Sequence, residues 1–283
     1  MNKQERYNQV FRFAVGFVGE MRGKYPELKE DVVFERNFIS QQEFNALPDA
    51  CCRLFSSLQN RGMMPSVIKF DKKREAMSDI LFGYDPKRIL KKYNSDELLS
   101  AFEGAFGPIA NLKSQKNLWR QFSKGIISGS VFMSSFKDKE DFDDFIKTFN
   151  HNKYTKAALP MLLSKEISGL GFALACDFLK ELGYRDYPKP DVHLIDIFYR
   201  LGLSDSKEPY DVYKSMIEMT EELVKENIRV IQDKDMDAYV VDKIFWMIGS
   251  GKIFPGSDKN MGGDTVERRN RFISEAGEVI GLG

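Results

Sequence analysis

Apolar residues recur at helical spacing along most of the chain. Residues 2–24 show the pattern clearly, since their apolar side chains fall three or four positions apart and Lys and Arg occupy the other face. Similar patterns predict helices over 49–60, 73–83, 86–93, 95–106, 112–135, 139–149, 209–231, 235–254 and 265–280. The run SVIKF (66–70) favours a short isolated strand, and 31–47 is compatible with either element. The pattern therefore predicts an all-α protein.

Polar residues at the helix starts support these assignments. Asp49, Ser95 and Asp138 each stand at the start of an apolar periodic run and are predicted N-caps, and Asp85-Pro86 starts another helix. Pro108 ends the first group of helices. We therefore expect an N-terminal helical lobe of residues 1–110 and a second lobe of residues 111–283, with interleaving of the first lobe and the C-terminal segment left open.

Charge and cysteine content restrict the class of protein. Lys plus Arg equals Asp plus Glu, 42 against 42, so a polyanion site must be a local basic patch. Two runs at helical spacing are candidates for such a patch, with a solvated face as the alternative: Lys87, Arg88, Lys91 and Lys92, and Lys113, Lys116, Arg120 and Lys124. Three cysteines are too few for a disulfide framework and lack the spacing of a zinc or iron–sulfur site.

The location of the protein is predicted from its apolar runs. None reaches the roughly 18 residues of a membrane span, and the N-terminus lacks the apolar core of a signal peptide. We therefore expect a cytoplasmic protein.

The stretch 156–202 carries the chemistry. Two apolar helical runs are broken by Ser168-Gly169-Leu170-Gly171. A Gly-x-Gly turn between helices presents backbone N–H groups, the second helix adds its positive end, and glycine lets a phosphate approach closely. Such a turn would hold a nucleic-acid backbone without reading its sequence, with Lys156 and Lys165 adding charge. An ordinary helix–helix turn is the alternative.

A lone carboxylate follows this turn. Pro190-Asp191-Val192-His193 opens the next helix, where Asp191 suits an N-cap. Asp191 also suits a carboxylate held at the mouth of a cleft, and the two roles are compatible. His193 is either an ordinary polar residue or a donor to a phosphate.

Taken together, Ile167-Ser168-Gly169-Leu170-Gly171, the helix Phe172 to Leu182 and Asp191-Val192-His193 resemble the helix-hairpin-helix superfamily of DNA glycosylases, which includes endonuclease III and 8-oxoguanine glycosylase. The resemblance implies a two-lobed all-α fold acting, as a monomer, on double-stranded DNA that contains a damaged or modified base. It implies that Asp191 is catalytic and that the hairpin residues Ile167 to Gly171 contact phosphates. It also implies a possible K⁺ or Na⁺ at the carbonyls of Ile167 and Gly169. In a bacterium the protein would associate with the nucleoid.

Three departures refine what the resemblance implies. Ala173 stands where bifunctional relatives carry a Schiff-base lysine, which favours a monofunctional hydrolase. The four-cysteine cluster loop is absent, so no iron–sulfur cluster is expected. The gap-filling residue is assigned to Gln41 or Gln42 in FERNFISQQ (34–42), with IISGS (126–130) as the competitor.

Aromatic side chains are the predicted walls of the base pocket. The candidate aromatic walls are Trp119, Phe122, Tyr154 and Trp246, each with core packing as the alternative. The Asp-Val-His run most resembles the 8-oxoguanine branch and favours an oxidised purine over an alkylated or otherwise modified base. The competing hypotheses are a glycosylase with lyase activity from a lysine elsewhere, a non-catalytic hairpin DNA-binding protein and a helical interaction protein.

Overall fold

The computed structural model describes residues 1–22, 44–231, 234–253 and 264–282. In these ranges the chain is helical apart from turns, loops and one bridge residue, Lys252, which confirms the all-α prediction. The helices are α1 Lys3–Arg22, α2 Leu47–Gln59, α3 Met64–Ile68, α4 Arg74–Ile80, α5 Pro86–Lys92, α6 Ser95–Phe106, α7 Leu118–Ser134, α8 Lys139–Lys147, α9 Lys153–Glu166, α10 Phe172–Glu181, α11 Val192–Arg200, α12 Pro209–Lys225, α13 Ala238–Ser250 and α14 Thr265–Val279, with 3-10 turns at Phe70–Lys73 and Phe82–Tyr84. No helix of the described ranges is long and apolar enough to cross a membrane.

The predicted strand at 66–70 was wrong. Met64–Ile68 forms the short helix α3, and Lys69 ends it in the left-handed region at φ 56°. Pro65 in the first turn presets the helical φ. Met64 and Ile68, four positions apart, are both buried, so helical packing outweighs the β-propensity of the run.

The predicted caps are confirmed in part. Asp138 caps α8 through its carboxylate as predicted. Asp85, at the predicted start of α5, also caps its helix through its carboxylate. In α6 the cap is Asn94, in a capping box with Glu97, rather than Ser95. Helix α2 starts two residues before Asp49, whose carboxylate accepts the Asn45 and Ala46 amides from inside the first turn.

The chain divides into two compact units, Met1–Gln41 with Tyr184–Gly283, and Gln42–Gly183. This division differs from the predicted boundary near residue 110. Helices α6 and α7, which flank that position, pack together through Trp119, whose ring lies 5.3 Å from Phe102 and 5.5 Å from Phe106. Helix α1 belongs to the same unit as the C-terminal helices, which is the interleaving that the sequence left open.

The unit Gln42–Gly183, here called the hairpin unit, is built around α7. Helices α2, α5 and α6 pack against α7, and α10 packs on α9 and α2. Fully buried aromatic side chains fill its core: Phe55, Phe70, Phe102, Phe122, Phe142 and Phe178. Phe122 of α7 packs against Phe70 and Phe102, and Phe178 of α10 packs against Phe142.

The other unit, here called the aspartate unit, is built around α13. Helices α1, α11, α12 and α14 contact α13. Phe245 on α13 meets Phe198 at 5.1 Å, Phe272 at 6.2 Å and Phe11 at 6.4 Å between ring centroids. The apolar face predicted for the first helix is buried here in full: Tyr7, Val10, Phe11, Ala14, Phe17, Val18 and Met21.

Candidate functional site

The glycine turn joins α9 to α10 in the hairpin unit. Gly169 has φ +84°, a left-handed conformation that favours glycine. The Leu170 amide donates to the Ile167 carbonyl at 3.1 Å, which closes the turn. The side chains of Ile167 and Leu170 are buried, whereas Ser168, Gly169 and Gly171 are exposed. Two apolar side chains therefore hold the turn and leave its glycines facing solvent.

The backbone amides of the turn divide into two groups. Those of Ile167, Ser168 and Leu170 donate within the unit. Gly171 is the N-cap of α10 and has no side-chain acceptor to offer the first turn. Within the described ranges, the amides of Gly169, Gly171 and Ala173 have no hydrogen-bond partner. The surface available to an anion is thus Gly169, Gly171 and the positive end of α10.

Helix α7 holds the turn in place. The Ser168 amide donates to the hydroxyl of Ser128 at 2.8 Å. A Cβ built on Gly125 would lie 2.8 Å from the Ser168 carbonyl oxygen, and one built on Gly129 would lie 3.7 Å from Cγ2 of Ile167. Gly125 and Gly129, both inside α7, therefore allow close approach of the hairpin. The stretch IISGS, considered for base-gap filling, supplies part of this contact.

Arg61 is a residue that the sequence analysis missed. Its Nη1 atom lies 3.9 Å from the position that a Cβ of Gly169 would occupy, and the side chain is exposed. Within the described ranges, its guanidinium makes no hydrogen bond or ion pair. Lys165, in the last turn of α9, is also exposed. No local pattern indicates Arg61, because only the fold brings the end of α2 to the hairpin.

The predicted K⁺ or Na⁺ site involves carbonyls of the same turn. The Ile167 carbonyl already accepts the Leu170 amide, although a carbonyl oxygen has a second lone pair. The cation at Ile167 and Gly169 stays a prediction.

Asp191 lies in the aspartate unit and caps α11. Its Oδ1 accepts the amides of His193 at 2.9 Å and Leu194 at 3.1 Å. Both bonds use one oxygen, and Oδ2 has no hydrogen-bond partner in the described part of the chain. The side chain is half-buried. Asp191 is therefore an N-cap that keeps one carboxylate oxygen available.

The loop that leads to Asp191 is fixed by buried groups. The hydroxyl of Tyr213 donates to the Asp186 carbonyl at 3.2 Å, and Tyr187 is fully buried. Asp242 on α13, only 1% exposed, accepts the Lys189 amide at 2.5 Å. Asp191 in turn donates its own amide to the Lys189 carbonyl. The carboxylate is thus held by the loop before it and the helix after it.

His193 packs tightly beside Asp191. A Cβ built on Gly249 of α13 would lie 2.4 Å from the His193 Cβ, so only glycine leaves room for the imidazole. Nη1 of Arg269 lies 2.9 Å from Nδ1 of His193. Burial lowers the pKa of His193, the charges of Arg269 and Arg268 lower it further, and Asp191 and Asp196 oppose this shift.

The predicted pocket residues are divided between the two units. Trp119, 6% exposed, packs among Phe102, Phe106 and Phe122, with the Lys73 ammonium 4.7 Å from its ring centre. Trp119 and Phe122 thus serve the core of the hairpin unit. Tyr154, 58% exposed, lies in the first turn of α9. Trp246 is half-buried on α13 in the aspartate unit. Gln41 and Gln42 lie outside the described residues.

Comparison with known proteins finds a similar solved structure. No family model matches the chain, and no curated protein matches it. Among solved structures, the chain is similar to an 8-oxoguanine glycosylase/lyase of Methanocaldococcus jannaschii, crystallised in complex with a 15mer DNA containing 8-oxoguanine. The identity is 15%, the match covers 85% of this chain and 98% of that one, and the TM-score is 0.48.

Proposed function

We propose that this protein is a DNA glycosylase that hydrolyses the N-glycosidic bond of a damaged or modified base in duplex DNA. The observation that carries the proposal is the state of Asp191, a rigidly held cap with one free carboxylate oxygen. It follows an exposed glycine hairpin in the order that the helix-hairpin-helix glycosylases show. The Asp191-Val192-His193 run favours an oxidised purine as the base.

The hairpin supplies the grip on DNA. The amides of Gly169 and Gly171 and the N-terminus of α10 are suited to a phosphate oxygen. The guanidinium of Arg61 lies beside Gly169 and adds a positive charge. None of these groups reads a base edge, so this grip is independent of sequence.

Asp191 supplies the chemistry. A base must leave the stack before its glycosidic bond can be reached. Cleavage leaves positive charge on the sugar, which an ionised carboxylate next to C1′ stabilises while it orients the attacking water. Ala173 has no amine to form a Schiff base, so the proposed reaction is hydrolysis without strand cleavage.

Asp191→Asn tests this proposal. Asparagine caps helices as well as aspartate does, so the variant loses the charge and keeps the helix start. Base release from duplexes carrying one lesion each, starting with 8-oxoguanine, should fall by about 100-fold or more, with duplex binding retained. Asp264→Asn is the matched control, because Asp264 caps α14 by the same two-amide arrangement. Equal base release from Asp191→Asn and the unaltered protein would refute the catalytic role.

A non-catalytic DNA-binding protein is the second candidate. The two amide bonds at Oδ1 are enough to explain Asp191 as a structural cap. This candidate predicts salt-sensitive binding to any duplex and no base release across the lesion panel. A borohydride-trapped adduct on a substrate whose base is released would instead indicate a lyase lysine elsewhere in the chain.

A further inference from the structure

We propose that Arg269 is a positioning residue that fixes His193 as a neutral imidazole with its proton on Nε2. The use of this N–H in DNA binding rests on the proposed function, whereas the state of the imidazole does not. His193 would then present one directed donor to an anionic oxygen of the DNA backbone beside Asp191.

The contact between the two side chains dictates the tautomer. Nη1 of Arg269 lies 2.9 Å from Nδ1 of His193. A guanidinium has only donors and stays protonated, so Nδ1 must accept and the proton must sit on Nε2. A doubly protonated imidazole would place two donors against each other.

Packing keeps both partners in this arrangement. The backbone of α13 at Gly249 closes one side of the imidazole. Asp196 on α11 lies 2.9 Å from Nε of Arg269, and the arginine side chain is only 17% exposed. Arg269 is therefore held against His193 by its ion pair with Asp196, which lies on the same helix as His193.

Charged groups face the imidazole from two helices. Asp191, at the start of α11, and Asp196 on α11 favour its protonation. Arg268 and Arg269 on α14 disfavour it, as does burial, which is the largest effect. Within the described ranges, Nε2 has no hydrogen-bond partner.

Neutrality of His193 has a direct consequence for Asp191. An imidazolium two residues away would offset the negative charge that the proposed chemistry requires. A neutral N–H donates to a phosphate oxygen without this effect. With Arg269 in place, His193 contacts DNA as a neutral donor and the negative charge of Asp191 is not offset.

Nitrogen-15 NMR of the imidazoles tests the proposal. The chain has only two histidines, so His151→Gln leaves a single signal set for His193. We expect the neutral Nε2–H tautomer and a titration midpoint below the ordinary value of about 6.5. Arg269→Met should raise the midpoint, because the charge of Arg269 is lost while Asp191 and Asp196 remain beside the ring. Arg269→Lys keeps a charged donor and should restore most of the shift. Arg271→Met, on the same helix, should leave the midpoint unchanged.

Two results would overturn the inference: an Nδ1–H tautomer in the unaltered protein, or the same midpoint in Arg269→Met as in Arg271→Met. Duplex binding as a function of pH then tests the use of the donor. Between the two midpoints, affinity should be a few-fold stronger in Arg269→Met than in the unaltered protein, because only the variant carries an imidazolium near the backbone at those pH values. Identical pH profiles would overturn the role in DNA contact. Absence of base release in the lesion panel would refute the glycosylase assignment and leave the NMR result standing.

Discussion

The close contact between α7 and the hairpin gives a sharp prediction at Gly125. In Gly125→Ala the added Cβ would lie 2.8 Å from the Ser168 carbonyl oxygen and 3.0 Å from Cδ1 of Leu58. The Leu58 methyl can rotate aside, but the carbonyl belongs to the backbone of the turn. We therefore expect the hairpin to shift away from α7.

The loss of folding stability in Gly125→Ala is worked out by comparison with a second glycine of the same unit. Gly104 on α6 has no atom within 4 Å of a built Cβ, so Gly104→Ala should stabilise the fold by about 0.5–1 kcal/mol through helix propensity. Gly125→Ala gains a similar amount and loses about 1–3 kcal/mol to overpacking. The difference between the two variants isolates the cost of the close contact, at about 1–3 kcal/mol.

Urea unfolding followed by circular dichroism measures this difference. Gly104→Ala should raise the midpoint, and Gly125→Ala should lower it or leave it unchanged. Ser128→Ala alone should lower the free energy of unfolding by about 1 kcal/mol, because the Ser168 amide loses its acceptor. In the Gly125→Ala background this loss should be smaller, because the shifted turn has already weakened that hydrogen bond. Equal stabilisation by both alanine substitutions would refute the close packing of hairpin and helix.

Two further predictions concern the residues around the candidate site. Arg61→Gln should weaken duplex binding and make the slope of log affinity against log salt less steep by about one. Arg12→Gln, on the exposed face of α1, is the control and should change neither. Equal slopes in the two variants would show that Arg61 does not contact a phosphate. Gly249→Ala should destabilise by about 1–3 kcal/mol in urea and lower base release, because its Cβ would lie 2.4 Å from the His193 Cβ. Gly16→Ala, with open space around it, is the control, and the same stability in both variants would contradict the packing at His193.

The sequence by itself determined the local features of this protein. Helical periodicity alone predicted the class and the buried face of α1, since burial of that face needs only an apolar partner surface. The caps at Asp85, Asp138 and Asp191 and the glycine turn also follow from local chemistry, because each bond joins residues within a few positions of one another. The amide-presenting turn and the capping carboxylate were therefore predictable as separate elements.

Tertiary structure decided which distant residues meet. Residues 64–68 form a helix because Met64 and Ile68 are buried together. No unit boundary falls at Pro108, since Trp119 packs α7 against α6 in one unit. Ser128 and Arg61 reach the hairpin, and Arg269 reaches His193, only through packing of helices far apart in sequence. Such contacts have no periodic signal, because the free energy that selects them comes from close packing and charge placement across the fold.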